Sequence, residues 1–285
     1  PLRIDHGIDR NQSRVHIDDK RSSQFISALM LIAPFMENGI ELKFPKNIPS
    51  FSYLKMTNDL LRQCGLSAEL ENGYFKTTPG LPQKTEIKIE SDWSSASFLL
   101  ALFKLGKWPK LQLNNLFKNS LQGDRAGLEI FNYSSREYKF ESKSLTLIKS
   151  LNHQNDNEHF DFSQYPDLSL PYIFMSVQQK GTKTFYGLES LKFKESDRLS
   201  ALKNEIIKMG CLLKKSEDNW ILDSSGFKPE SELRFKSYSD HRVAMSCSLI
   251  ALNTTIEIEE AEVVAKSFPE YWKVLKLLGF QVDYI

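Results

Sequence analysis

The densest chemistry in the chain is the run Lys192-Phe193-Lys194-Glu195-Ser196-Asp197-Arg198-Leu199, where two carboxylates and two cations fall between Lys194 and Arg198. It opens an amphipathic stretch that reads as a helix from Glu195 to Gly210. Free N–H groups and the helix dipole make a helix start a natural anion site. Acids there are ordinary caps, whereas Lys194 and Arg198 oppose the dipole and need another partner. The plain alternative is a capping box of solvated charges. Ser239-Asp240-His241-Arg242-Val243-Ala244-Met245 repeats the theme. Three ionisable residues open an otherwise apolar helix, and charge at the tip of a buried helix is costly unless it meets a ligand or another charge. Ser22-Ser23-Gln24 offers hydroxyls, an amide and helix N–H groups, which can cradle phosphate or simply cap. Ser94-Ser95 reads as a plain cap, Asp167 as a cap or a base, and Lys266 precedes the last helix.

In a repeat fold, equivalent helix starts converge. They would gather Ser22, Ser23, Gln24, Asp167, Lys194, Glu195, Arg198, Asp240, His241, Arg242 and Lys266. Such a set offers cations for phosphate and carboxylate groups and acids for proton transfer. The sequence carries no Gly-rich P-loop, GxGxxG, nucleophile elbow or metal-ligand cluster. Small polyanionic substrates without a nucleotide fit best.

The elements that must position these residues show a repeat. Similar apolar helices start near Ser22, Ser94, Asp167 and Asp240, at intervals of about 72 residues. A second helix follows each: Ser52 to Gly65, Gly123 to Ser135 (the weakest), Glu195 to Gly210, and Phe268 to Gly279. Short strand pairs follow Gly65 and Gly210, around the turns Glu71-Asn72-Gly73 and Glu217-Asp218-Asn219. With β-rich runs between the helices, the unit reads as β-α-β-α-β-β in an α/β (α+β) chain. A boundary near Glu90 separates residues 1–90 from a three-unit domain at 91–285.

Composition narrows the class. The chain has 285 residues, 41% of them hydrophobic, and a formal net charge of +1. No apolar run approaches the roughly 20 residues of a membrane span. The balanced charge argues against nucleic acid as a partner. Three widely spaced cysteines, Cys64, Cys211 and Cys247, fit a reducing, cytoplasmic setting.

The chain resembles the 3-phosphoshikimate 1-carboxyvinyltransferase (EPSP synthase) family, the shikimate-pathway enzymes inhibited by glyphosate. The matching segments are Pro1-Leu2-Arg3-Ile4, Ser22-Ser23-Gln24-Phe25, Asp92 to Ser97, Asn119-Ser120-Leu121-Gln122-Gly123-Asp124, Lys194 to Leu199, Asp240 to Met245 and Lys266 to Tyr271. They span the chain in family order, and the KESDRL and DHR-x-A-M motifs together are highly specific. The resemblance implies two inside-out α/β barrel domains, three β-α-β-α-β-β units in each, with substrates bound between them. It implies transfer of the enolpyruvyl group of phosphoenolpyruvate to the 5-hydroxyl of shikimate 3-phosphate, with phosphate released and no metal or organic cofactor. A monomer is expected.

By motif, Ser22, Ser23 and Gln24 would bind shikimate 3-phosphate, with Gln24 also near phosphoenolpyruvate. Ser50 and Tyr53 would add phosphate-side contacts, although Ser50-Phe51-Ser52-Tyr53 departs from the family's Ser-x-Pro-Tyr. Asp167 would take the hydroxyl proton, Glu195 would handle the proton at the methylene carbon, and His241 would assist. Lys194 would touch shikimate 3-phosphate, Arg198 and Arg242 would clamp the phosphoenolpyruvate carboxylate, and Lys266 would hold its phosphate. Asp167 keeps the Pro-Asp of the family but not the small residues that follow. Nothing matches the family's N-terminal segments with their phosphate-binding arginines. Residues 1–90 therefore read as the remnant of the first domain, and the chain alone is expected to bind shikimate 3-phosphate weakly and turn over nothing. Two alternatives stand beside this reading: a catalytically silent ligand-binding chain, and UDP-N-acetylglucosamine 1-carboxyvinyltransferase, which shares fold and chemistry.

Overall fold

Helices that are apolar on every face must be surrounded by other elements, and the chain from Glu90 onward is organised around three of them. In a computed structural model, which describes residues 3, 11–19, 22–83, 86–150 and 159–285, the chain divides into two units. Pro1, Leu2 and Ile4 lie outside the described residues. The first unit holds residues 1–89 with 121–123, and the second holds 90–120 with 124–285.

In chain order, the first unit contains β1 (Arg14–His16), α1 (Gln24–Ile32), β2 (Ile40–Lys43), α2 (Phe51–Gln63), β3 (Glu69–Glu71) and β4 (Tyr74–Thr77). Its sheet runs β1-β2-β4-β3, with β1 parallel to β2 and the other pairs antiparallel. Ile40 and Leu42 alternate inward, as a strand with one buried face requires. They meet Ile26 and Met30 of α1, Leu54 and Leu61 of α2, and Phe75. Gly39, just before β2, sits at φ +67, and a Cβ there would strike the Thr77 carbonyl oxygen. Gly39→Ala is expected to cost about 2 kcal/mol or more, since a left-handed backbone is combined with a clash. Urea unfolding followed by circular dichroism should show the lower midpoint; an unchanged midpoint would mean the turn relaxes freely.

The second unit contains α3 (Trp93–Leu105), β5 (Lys110–Asn114), α4 (Gly127–Ile130), β6 (Tyr138–Glu141), β7 (Ser144–Ile148), β8 (His159–Asp161), α5 (Ser169–Ser176), β9 (Thr182–Tyr186), α6 (Arg198–Ile206), β10 (Leu212–Ser216), β11 (Asn219–Asp223), β12 (Glu232–Lys236), α7 (His241–Cys247), β13 (Thr255–Glu259) and α8 (Tyr271–Leu277). Its sheets are β8-β9-β11-β10, β5-β7-β6 and β12-β13. The first of these copies the plan of the other unit: β8 is parallel to β9, and an antiparallel hairpin follows. The β-α-β-α-β-β unit is thus written out in full twice, at β1 to β4 and at β8 to β11.

Helix α3 buries ten of its thirteen residues and α5 buries all eight, so neither presents a polar face to water. Both pack in one core with α7, with Phe98, Leu100, Ile173, Phe174, Val243 and Met245 among the buried side chains. Because all three helices are buried along their length, the polar residues at their starts lie at the end of a closed core. No helix among the described residues is long and apolar enough to cross a membrane.

The structure revises several helix bounds. Helix α6 begins at Arg198, not Glu195, because the Asp197 side chain accepts from the Ser200 N–H and caps it. Glu195 is left in the preceding loop. The weak second helix of the second repeat shrinks to α4 after a 3-10 turn at Gly123–Ala126. A third hairpin, β6–β7, joins the two that were read from turn residues.

Candidate active site

Three segments of the second unit bring their charges together. A 3-10 turn, Pro166–Leu168, carries Asp167 into the start of α5. The loop before α6 supplies Lys194 and Glu195, and α6 opens with Arg198. Asp240 caps α7 by accepting from the Arg242 N–H at 2.9 Å, so His241 and Arg242 form the first turn.

Arg198 is the hub, with a side chain only 1% exposed. Its Nε and Nη2 donate to the two oxygens of Asp240 at 2.7 and 3.2 Å, its Nη1 to Asp167 Oδ1 at 2.8 Å, and its Nη2 also to Glu195 Oε2 at 2.5 Å. A guanidinium has five N–H donors, so one remains on Nη1. The carboxylate clamp expected of Arg198 is therefore largely filled by the protein's own acids. Lys194 Nζ lies 3.4 Å from Asp167 Oδ1, and Arg242 Nη2 lies 3.7 Å from Asp167 Oδ2. Ser196 donates to Asp240 Oδ2 at 3.1 Å. Three cations thus meet three carboxylates.

Burial by itself would raise the Asp167 carboxyl, but Arg242, Lys194 and Arg198 together hold it well below the ordinary carboxylate range. Asp240 is shifted the same way: burial opposes ionisation, and the Arg198 hydrogen bond and charge overcome it. Burial, reinforced by Arg242, lowers the His241 imidazole. That shift favours the neutral imidazole, and its buried Nδ1 has no hydrogen-bond partner among the described residues, a state suited to relaying a proton.

The two lowered carboxyls carry a stability consequence. The unfolded chain takes up their protons near pH about 3.9, while the folded chain resists until lower pH. Stability from these pairs is therefore complete above that value and is lost as pH falls below it. Thermal unfolding should show the midpoint of the native chain dropping as pH falls from about 4 to about 2, and that of Asp167→Asn dropping by less. Equal drops would assign the acid sensitivity elsewhere.

Lys266 is exposed at the end of a 3-10 stretch, Ala261–Lys266. Ser22, Ser23, Gln24, Ser50 and Tyr53 belong to the first unit. Ser23 is buried and precedes α1 without a side-chain capping bond, Ser22 Oγ accepts from the Gln24 N–H at 3.2 Å, and Gln24 is exposed. Ser50 precedes α2 at φ +60, and the Tyr53 N–H returns to its carbonyl. The sequence reading saw Asp240 at a helix start but not its part as the fixed anchor of Arg198.

The family model for EPSP synthase (3-phosphoshikimate 1-carboxyvinyltransferase) matches residues 1–275. A Bacteroides fragilis protein named 3-phosphoshikimate 1-carboxyvinyltransferase is 34% identical, over 99% of this chain and 69% of its own length. A Clostridium acetobutylicum protein of the same name is also 34% identical, over 92% of this chain and 60% of its own. Among solved structures, an EPSP synthase from Acinetobacter baumannii superposes with a TM-score of 0.69 at 20% identity, covering 95% of this chain and 64% of that one. The enolpyruvyl transferase NikO from Streptomyces tendae superposes with a TM-score of 0.63 at 13% identity. The two structures share the mixed α/β fold. On the family-model match, end to end along nearly the whole chain, the protein belongs to the EPSP synthase family.

Proposed function

We propose that this chain takes part in transfer of the enolpyruvyl group of phosphoenolpyruvate to the 5-hydroxyl of shikimate 3-phosphate, releasing phosphate. The observation that carries the reading is the hub itself, in which Lys194, Glu195, Arg198, His241 and Arg242 meet around Asp167 at the starts of buried helices. The hydroxyl oxygen bonds to C2 of phosphoenolpyruvate while C3 gains a proton and becomes a methyl group. The C2–phosphate bond then breaks, and C3 loses a proton to restore the methylene. Asp167, held ionised by three cations, accepts the hydroxyl proton. Glu195 delivers and recovers the proton at C3, and His241 assists it. Arg242 and the remaining Arg198 N–H face the carboxylate, where charged hydrogen bonds are strongest. Lys266 takes the departing phosphate and Lys194 touches shikimate 3-phosphate. Ser22, Ser23, Gln24, Ser50 and Tyr53 serve the shikimate 3-phosphate side, with Gln24 also near phosphoenolpyruvate.

The finer architecture belongs to the same proposal: residues 1–90 as part of a substrate-binding domain and residues 91–285 as a three-unit domain carrying the KESDRL and DHR motifs, both of inside-out α/β barrel type, in a cytoplasmic monomer that does not engage nucleic acid. Free Cys64, Cys211 and Cys247 suit a reducing compartment. The relatives named above are phosphoshikimate enzymes, which favours this substrate over the UDP-N-acetylglucosamine alternative.

The test is phosphate release from the two substrates, measured on the 285-residue chain and on the product of the complete reading frame that contains it. Release by the latter is expected. No release at saturating substrates would overturn the assignment.

A further inference from the structure

Immediately before Asp240-His241-Arg242, two successive residues adopt a left-handed backbone: Tyr238 at φ +56 and Ser239 at φ +52. Neither is glycine, and such conformations persist only where surrounding contacts impose them. Those contacts are present. The Tyr238 hydroxyl donates to Glu205 Oε1 at 2.7 Å, and Ser239 Oγ donates to Glu260 Oε2 at 2.8 Å. Glu205 is 1% exposed, so its carboxylate has been taken out of water. Its Oε2 accepts from Lys208 Nζ at 2.6 Å and from the Lys236 N–H at 3.3 Å. Lys208 in turn donates to the Arg234 carbonyl at 2.9 Å. A buried acid is expensive unless its lone pairs are used, and these are spent on Lys208 just after α6, on β12 and on the turn that follows β12.

Glu205 lies seven residues after Arg198 on α6, two turns along and on the same face. One helix therefore grips the segment twice, at Asp240 through Arg198 and at Tyr238 through Glu205. We propose that Glu205 and Tyr238 are positioning residues, which touch no substrate but set where α6 holds His241 and Arg242. The proposal rests on the enolpyruvyl-transfer reading only for its kinetic consequence.

The first test needs no activity. In the 285-residue chain, the His241 imidazole carbon-bound proton resonance, assigned by its loss in His241→Gln, should move in both Tyr238→Phe and Glu205→Gln. It should stay in place in Tyr133→Phe, a control that removes another buried hydroxyl, bonded to the Leu100 carbonyl. An unmoved resonance in Tyr238→Phe, the milder variant, would overturn the proposal. So would an equal movement in the Tyr133 control, because the effect would then be general loosening. The second test uses the product of the complete reading frame. Tyr238→Phe is expected to raise KM for phosphoenolpyruvate about tenfold while kcat stays within about threefold. Adding Glu205→Gln should worsen it little further, because both changes break one contact. Fully additive effects or an unchanged KM would count against the grip. Should the native protein release no phosphate, the functional reading fails and the resonance still decides the positioning claim.

Discussion

Arg198→Met is expected to destabilise the second unit by about 3–5 kcal/mol, the usual consequence of removing one partner from a buried ion pair. Methionine keeps most of the volume, so little of the loss comes from a cavity. What remains is Asp240, 0% exposed, with its bidentate partner gone, facing Asp167 and Glu195 across the vacated space. Ser196 and the Arg242 N–H still donate to Asp240, but neither brings a whole charge. The measurement is direct, because Trp93, Trp108, Trp220 and Trp272, all four tryptophans of the chain, lie in the second unit. Their fluorescence should report unfolding at a midpoint lower by about 10 °C. The double variant Arg198→Met with Asp240→Asn should regain part of the loss, since it removes the stranded charge together with its partner. If the single variant unfolds with the native chain, or the double is no better than the single, Arg198 and Asp240 are not the energetic centre of the hub.

The hub shows what a sequence can and cannot convey. Helix starts at Gln24, Trp93, Ser169 and His241 follow from long apolar runs behind a polar or small residue, and the first-half strand β2 follows from its alternation. The hairpins after Gly65 and Gly210 were announced by Asn-Gly and Asp-Asn turns. The hairpin β6–β7 was not, because its turn places Ser142 at φ +53, a position where serine sends no signal. Among the charged residues, the types and the neighbourhood were legible from motif and repeat. Their pairing was not. The sequence offered these cations for the phosphate and carboxylate groups of a substrate, whereas the folded hub sets Lys194, Arg198 and Arg242 against Asp167, Glu195 and Asp240. Pairing depends on side-chain direction in three segments far apart in sequence, which no local pattern records. Glu205 went unseen for the same reason: on an amphipathic helix it reads as a solvated acid, and only the fold turns it inward.

Glu195→Gln is expected to cut turnover in the product of the complete reading frame by about 10²–10⁴-fold, the range for removing a general acid–base group. The Glu195 side chain is 34% exposed, the most open of the three acids around Arg198, so a reacting carbon can approach it. Its Oε2 is fixed by Arg198 Nη2, which leaves Oε1 to exchange a proton. Glutamine keeps the shape and can still accept from Arg198 through its carbonyl, but it cannot carry a proton to carbon and take it back. Stability and KM for phosphoenolpyruvate should therefore change little while kcat falls, the pattern of an interaction made only in the transition state. A second readout separates this role from simple distortion. Because C3 passes through a methyl group, turnover in deuterium oxide places solvent deuterium in the product's methylene, and the protons that enter and leave pass through the residue at C3. In Glu195→Gln, appearance of deuterium should fall in step with turnover. In Asp167→Asn, by contrast, the fold should weaken as well, because three cations lose the charge they share. Native-like turnover in Glu195→Gln would move the carbon proton to another group. His241 would then be the next to test, since its imidazole is a further group at the hub able to carry one and Asp167 is assigned the hydroxyl proton.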